Sequence, residues 1–212
     1  MIMIIKICGI QTTEDAHAAI QAGAHWLGFV FANSKRKISP TRARTIIKSI
    51  NKSVQTVGVF VNERVETINE IVHDVGLNIV QLHGDETPDI ISQIRVPTIK
   101  AFPIDQLKNI ELANYPSDYF LIDSQRTTYY GGSGQTFDWT LLQNERTTLK
   151  DKLIVAGGLN PTNVQQAIRT LQPSGVDVSS GVETRGIKDI KKMTCFVNQI
   201  TQMKGVRKHD EL

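Results

Sequence analysis

Eight short apolar runs recur along this chain, and none of them alternates with polar residues. They are residues 3–8 (MIIKIC), 25–31 (HWLGFVF), 54–61 (VQTVGVFV), 78–82 (NIVQL), 98–102 (TIKAF), 119–122 (YFLI), 153–156 (LIVA) and 176–178 (VDV). A strand with one wet face shows a period of two; a continuous run is buried on both faces, which is the mark of a parallel sheet covered by helices. Parallel strands need crossovers, and the intervening stretches supply them. Thr13-Glu14-Asp15 opens a helix reaching Gly23, and Pro40 sits where a helix can start. Residues 63–75 carry helical period, a helix follows Pro88, and a final one covers residues 187–202. Residues 103–114 are poorly patterned and are expected to be helical; residues 123–137 read as a long glycine-rich loop.

Eight strand–helix units in one α/β domain predict a (β/α)8 barrel, also called a TIM barrel, near its minimum length. The barrel is expected over residues 1–205, with residues 206–212 as a charged tail. A doubly wound open sheet is the alternative; no G-x-G-x-x-G follows the first run to support it. At 212 residues, with no shift of composition along the chain, one core and one domain are expected.

Charge separates further possibilities. A net charge of +3, dispersed along the chain and without stacked aromatics, argues against nucleic acid as a partner. The two cysteines, Cys8 and Cys195, are far apart and define neither a metal site nor a disulfide framework. They suit a reducing compartment, so a cytoplasmic location is expected. Cys195, on the last helix, reads as a packing residue. Lys6 interrupts the apolar start, leaving a run too short for a signal peptide or membrane span. The closing His209-Asp210-Glu211-Leu212 matches an endoplasmic-reticulum retention address and, without an entry signal, is read as chance. No obvious apolar patch is visible, and a monomer is expected.

In such a barrel the strand C-terminal ends and the loops after them build the active site. The last two loops are the most distinctive. Gly157-Gly158 follows the seventh strand and Ser179-Ser180-Gly181 the eighth. Small residues leave backbone N–H groups uncovered, and a following helix N-terminus adds partial positive charge, so the two loops read as a cup for one phosphate.

Cys8 ends the first strand beside a glycine that bares it; it is either a base or nucleophile, or a small buried hydrophobe. The loop after the second strand is basic. Arg36 there suits bidentate contact with a substrate carboxylate, whereas Lys35 and Lys37 read as solvated charges. Gln81 and His83 end the fourth strand, either touching substrate or bonded to a neighbouring strand end. Asp123 ends the sixth: a carboxylate there is costly unless paired or used, and it is either a general acid or a cap for the loop that follows. Residues 131–139 (GGSGQTFDW) are either a lid with glycine hinges or a plain loop.

Taken in order, KICG (6–9), GFVF (28–31), SKRKIS (34–39), VGVFVN (57–62), QLHG (81–84), LID (121–123), GGSGQTFDW (131–139), AGGL (156–159) and DVSSGVE (177–183) resemble the phosphoribosylanthranilate isomerase family of tryptophan biosynthesis. The resemblance runs essentially the whole chain. It implies an Amadori rearrangement of N-(5-phosphoribosyl)anthranilate to 1-(2-carboxyphenylamino)-1-deoxyribulose 5-phosphate. It also implies Cys8 as general base, Asp123 as general acid, Arg36 near the anthranilate carboxylate, and Gly157, Gly158, Ser179, Ser180 and Gly181 around the phosphate. The substrate nitrogen serves as electron sink, so neither a cofactor nor a metal is implied. One motif departs from the family pattern G-G-T-G-K: Ser133 and Gln135 replace threonine and lysine, which removes a positive charge beside the substrate.

Other readings stay open on the residues alone. An indole-glycerol-phosphate synthase would want a catalytic lysine in the barrel mouth, and Lys6 points to the same inner side as Cys8. A pentose-phosphate epimerase would want metal-ligating His and Asp residues, of which His83 and Asp123 qualify. A third reading is a barrel that binds a phosphorylated metabolite without turning it over.

Overall fold

A computed structural model of the chain describes residues 3–124, 142 and 149–206. Eight parallel strands close into a barrel in chain order, with β8 pairing back onto β1. The strands are β1 (Ile4–Cys8), β2 (Trp26–Val30), β3 (Gln55–Phe60), β4 (Ile79–Leu82), β5 (Thr98–Pro103), β6 (Tyr119–Asp123), β7 (Leu153–Val155) and β8 (Gly175–Val178). The helices outside are α1 (Thr13–Ala22), α2 (Pro40–Ser49), α3 (Val65–Val75), α4 (Pro88–Ser92), α5 (Val164–Leu171) and α6 (Ile190–Val206).

Alternate residues of each strand face opposite sides, which gives the molecule two apolar cores. Ile5, Ile7, Leu27, Phe29, Val80, Leu82, Phe120, Ile122, Val155 and Val178 face outward into the layer under the helices. Trp26, Val57, Ile79, Ile99, Ala101, Leu121, Ile154 and Ala156 fill the barrel itself. Trp26 and Tyr119 meet edge to face, with ring centroids 5.1 Å apart. One step of two further up the inner face the residues turn polar: Cys8, Gln81, Asp123 and Asp177. The apolar plug therefore ends where the chemistry can start.

Local signals account for most helix boundaries. Thr12 Oγ1 accepts from Asp15 N at 3.0 Å to open α1, and Gly23 closes it in the left-handed region at φ 103°. Ser39 Oγ accepts from Arg42 N, with Pro40 as the first helical residue of α2.

Two segments differ from the sequence reading. Between β5 and β6 stand two 3₁₀ turns, Ile104–Asn109 and Leu112–Asn114, where a helix was expected. Ile104 and Leu107 are buried three residues apart, the repeat of a 3₁₀ turn, and the next buried apolar residue, Leu112, comes too late to continue an amphipathic α-helix. The last helix begins at Ile190, not at residue 187. Ahead of it Ile187–Lys188 (β10) pairs antiparallel with Glu183–Thr184 (β9). Arg185 and Gly186 link them with φ of 53° and 81°, a two-residue hairpin turn with both residues left-handed. Asp189 Oδ1 then accepts from Lys191 N and Lys192 N to open α6. Cys195 is exposed on that helix, so it is not the packing residue expected there. The expected lid (131–139), with Ser133 and Gln135, and the tail from residue 207 lie outside the described residues.

Candidate active site

Every strand-end side chain singled out above stands on the C-terminal rim of the barrel. Cys8 is 7% exposed on β1, opposite Gly28 of β2. A Cβ at residue 28 would lie 2.6 Å from Cys8 Sγ, so only glycine leaves room for the thiol in this position. Beneath it lies Lys6, fully buried, whose Nζ donates to Asp177 Oδ1 at 2.9 Å across the β1–β8 seam. Burial opposes the charge on Lys6, but Asp177 and Cys8 together outweigh it and hold the ammonium above its ordinary value. Burial pushes the Cys8 thiol up from its ordinary 9.0; Lys6 and Lys188 act the other way. The resting side chain is therefore a thiol at neutral pH.

Arg36 lies across the β1 exit. Gly9, at φ 83°, allows this, because a Cβ there would collide with the arginine's Cδ. The guanidinium is not waiting open for a carboxylate. Nε and Nη2 donate to Glu183 Oε1 and Oε2 at 2.7 and 2.8 Å, a bidentate pair buried within the protein. Lys188 Nζ donates to Glu183 Oε1 at 2.7 Å and to Ser179 O at 3.1 Å. Ser179 Oγ in turn donates to Cys8 O at 3.0 Å. Burial by itself would raise the Glu183 carboxyl, but Arg36 and Lys188 overcome it and hold the group at about 2. Burial lowers the Lys188 ammonium below its ordinary value, with Glu183 opposing. The sequence reading missed Glu183 and Lys188. Glu183 closes the DVSSGVE motif, and Lys188 was hidden inside the expected helix. Lys35 and Lys37 are exposed, as read.

On the far side of the mouth, Asp123 is 7% exposed at the end of β6. Its Oδ1 accepts from Ser124 N at 2.7 Å and from Ser124 Oγ at 3.3 Å. His83 Nε2 lies 3.4 Å from Oδ2. Gln81 Nε2 lies 2.9 Å from His83 Nδ1. Gln81, His83 and Asp123 therefore form one chain, joining the ends of β4 and β6. Glu86 braces the loop that follows β4. It accepts from Gly84 N and Asn62 N, and its Oε2 stands 2.9 Å from Lys100 Nζ of β5. The Glu86–Lys100 pair was also missed, since Glu86 lies in a loop and Lys100 in a strand interior.

The two cup loops touch. Gly157 and Gly158 take φ of 80° and 64°, a left-handed pair that turns the chain sharply after β7. Gly157 packs so closely that a Cβ would meet Ser124 N and, at 2.8 Å, Asp123 Oδ1. Gly181 lies against the Leu159 carbonyl, where a Cβ would overlap it. Gly157, Gly158, Ser179, Ser180 and Gly181 are all half-buried, forming a shallow floor that opens to solvent. Because β7 and β8 lie between β6 and β1, this floor stands between Asp123 and Cys8.

A closed (β/α)8 barrel with a thiol, a carboxyl and a small-residue floor on its C-terminal rim defines an enzyme of the TIM-barrel class. Comparison with known proteins narrows this. The family model for N-(5'-phosphoribosyl)anthranilate isomerase matches residues 5–199. A relative of that name from Bacillus mycoides is 50% identical over 198 residues, covering 93% of this chain and 97% of its own. The crystal structure of phosphoribosyl anthranilate isomerase from Thermotoga maritima superposes with a TM-score of 0.87 at 41% identity, covering 95% of this chain and all of that one. A further isomerase structure, in complex with reduced 1-(o-carboxyphenylamino)-1-deoxyribulose 5-phosphate, gives 0.83 at 37% identity, with 95% of this chain and all of that one covered. The chain belongs to the N-(5'-phosphoribosyl)anthranilate isomerase family, and its reaction is the Amadori isomerisation of tryptophan biosynthesis.

Proposed function

We propose that Cys8 and Asp123 carry the two proton transfers of this isomerisation, from opposite sides of a substrate whose phosphate rests on the floor between them. The observation that carries the reading is topological. The acid side (β6) and the base side (β1) flank the two phosphate-loop strands, so a ribose anchored by its 5-phosphate on β7 and β8 projects its reacting carbons between them. The relative solved with a reduced carboxyphenylamino-deoxyribulose phosphate supports a ligand of this shape.

Asp123 protonates the furanose ring oxygen. The C1–O bond breaks with its electron pair going to the oxygen, and the nitrogen lone pair forms an iminium. Cys8 then removes the C2 proton, giving an enolamine that tautomerises to the ketone. The thiol is pushed up in the resting protein, so the substrate must help: an iminium cation beside Sγ favours the thiolate, with Lys6 and Lys188 acting in the same direction. Arg36 meets the anthranilate carboxylate through the terminal nitrogen that Glu183 does not take, while Glu183 holds the guanidinium plane. Gln81 and His83 line the substrate's path on the β4 side. The cup, Gly157, Gly158, Ser179, Ser180 and Gly181, holds the phosphate.

The substrate is an anthranilate and fluoresces, so its loss of signal on adding the protein tests turnover directly. Wild-type protein quenches the signal catalytically; Cys8→Ala and Asp123→Asn lower turnover by ~10²–10⁴-fold, the usual contribution of an acid or base. Unchanged turnover in either variant removes that residue from the mechanism, and binding without turnover in the wild type leaves a metabolite-binding barrel. We also retain the monomer and the cytoplasmic location. For the monomer, the support is that Ile187 and Ile190 are the exposed large hydrophobic residues among those described. Among the described residues no helix is long and apolar enough to cross a membrane.

A further inference from the structure

Lys6 is fully buried, and its cross-strand partners in the barrel wall are Trp26 of β2 and Asp177 of β8. It precedes Cys8 by two residues, so both side chains leave the same, inner face of β1. The barrel fill that it joins is apolar, with Trp26, Leu121 and Ile154 among its members. Stability alone does not call for an ion pair in such a place: apolar residues of similar size are often as good or better. The bond from Lys6 Nζ to Asp177 Oδ1, 2.9 Å long, takes one of the three N–H groups of the ammonium. Cys8 is the second group that this ammonium acts on. Lys6 and Cys8 each favour the other's charged form, through charge and through side-chain hydrogen bonding.

We infer that Lys6, kept protonated by Asp177, is the buried cation that stabilises the thiolate with which Cys8 takes the substrate's C2 proton. This rests on the reading of Cys8 as the general base. The thiol proton leaves for water beforehand. In the step itself a thiolate lone pair forms the S–H bond, the C2–H pair becomes the C1=C2 bond of the enolamine, and the iminium π pair returns to nitrogen. Lys6 keeps its proton throughout. Among the described residues the charged groups facing Cys8 are Lys6 from its own strand, Asp177 from β8, Lys188 from β10 and Arg36 from the loop after β2. Burial outweighs them and leaves a thiol at rest, but of these charges Lys6 acts on the sulfur most strongly. Asp177 and Cys8 in turn overcome the burial of Lys6, so its charge is present whenever the thiolate forms. Lys6 is a positioning residue: sealed beneath Cys8, it acts on the substrate through the thiol, and it is not the lysine in the barrel mouth that a synthase would want.

Cys195→Ser, at an exposed position outside the site, leaves Cys8 as the one cysteine. The ultraviolet absorbance of the thiolate then reads Cys8 directly, with Cys8→Ala/Cys195→Ser as the blank for tyrosine. In that parent, Lys6→Met moves the thiol midpoint to higher pH. Lys6→Met/Asp177→Asn also leaves the midpoint above that of the parent; removing both charges together avoids the stranded carboxylate that could unfold the single variant. Both variants are checked for native circular dichroism. In the fluorescence assay Lys6→Met lowers kcat/KM near neutral pH by about 10- to 100-fold, part of the ~10²–10⁴ that a base contributes. Compared at the same pH, this deficit narrows as pH rises above the parent's thiol midpoint, because the variant then gains the thiolate that the parent already has. Thiol midpoints that do not move in either variant overturn the inference. A deficit that is the same at every pH also overturns it and makes Lys6 a packing residue. The two failures are distinct: turnover retained in Cys8→Ala removes the base itself, whereas loss in Cys8→Ala with unmoved thiol midpoints removes the role of Lys6 alone.

Discussion

Replacing Glu183 by glutamine should destabilise the protein in a way that depends on pH with a defined sign. The carboxylate has a 5% exposed side chain and binds both Arg36 and Lys188 at 2.7 Å. It is held at about 2, against an ordinary 4.5. A fall of about 2.5, at ~1.36 kcal/mol for each, corresponds to roughly 3 kcal/mol, the lower end of the ~3–5 kcal/mol lost when one partner of a buried ion pair is removed. A depressed carboxyl contributes fully above its unfolded value and loses that contribution as pH falls through its folded value. The difference between wild type and Glu183→Gln should therefore be about 3 kcal/mol at pH 7 by urea denaturation, shrinking steadily between about pH 4.5 and pH 2. Taking the difference cancels the other acids that titrate in that range. High salt should restore little, since the pair is buried. Equal urea midpoints at pH 7, or a gap that does not narrow in acid, would refute the account of this clamp.

Three further outcomes follow from the same geometry. Titrating the native protein with a thiol reagent near neutral pH should label the exposed Cys195 quickly and Cys8 slowly, with both fast in urea; Cys8 labelling should accelerate on going above pH 9. Gly28→Ala places a methyl against Cys8 Sγ and should lower kcat by more than tenfold in the fluorescence assay, while inorganic phosphate binding, measured calorimetrically, is retained; an unchanged kcat would mean the thiol's position is not critical. Gly181→Ala forces the two cup loops apart at the Leu159 carbonyl and should weaken phosphate binding, raising KM more than it lowers kcat.

The barrel was legible because its strands are buried on both faces, and a run such as LIVA at residues 153–156 has few other places to go. The inward positions of Cys8 and Asp123 followed from their places at strand ends. What could not be read was pairing across the mouth. Nothing in the spacing of Arg36 and Glu183 announces a bidentate bond between residues 147 apart. The same holds for Lys6 and Asp177 across the closing seam of the barrel. Asp123 was read as a general acid or a loop cap; its bonds to Ser124 are those of a cap, and the approach of His83 from across the rim was not legible in the sequence. The β9–β10 hairpin was missed because a two-residue turn at Arg185-Gly186 was absorbed into the apolar period of the following helix. With it went Lys188, the residue that ties Glu183 to the carbonyl of Ser179.

In the arrangement we propose, one phosphate-anchored substrate lies with its reacting carbons between Cys8 and Asp123. A crystal structure of this protein with a reduced product analogue tests it most directly. The phosphate should lie against Gly157, Gly158 and residues 179–181. The former ring oxygen should lie about 2.6–3.2 Å from Asp123 Oδ2, hydrogen-bonding reach for an acid, and C2 should face Cys8 Sγ. An analogue whose phosphate sits on that floor but whose C2 points away from Cys8 would contradict it.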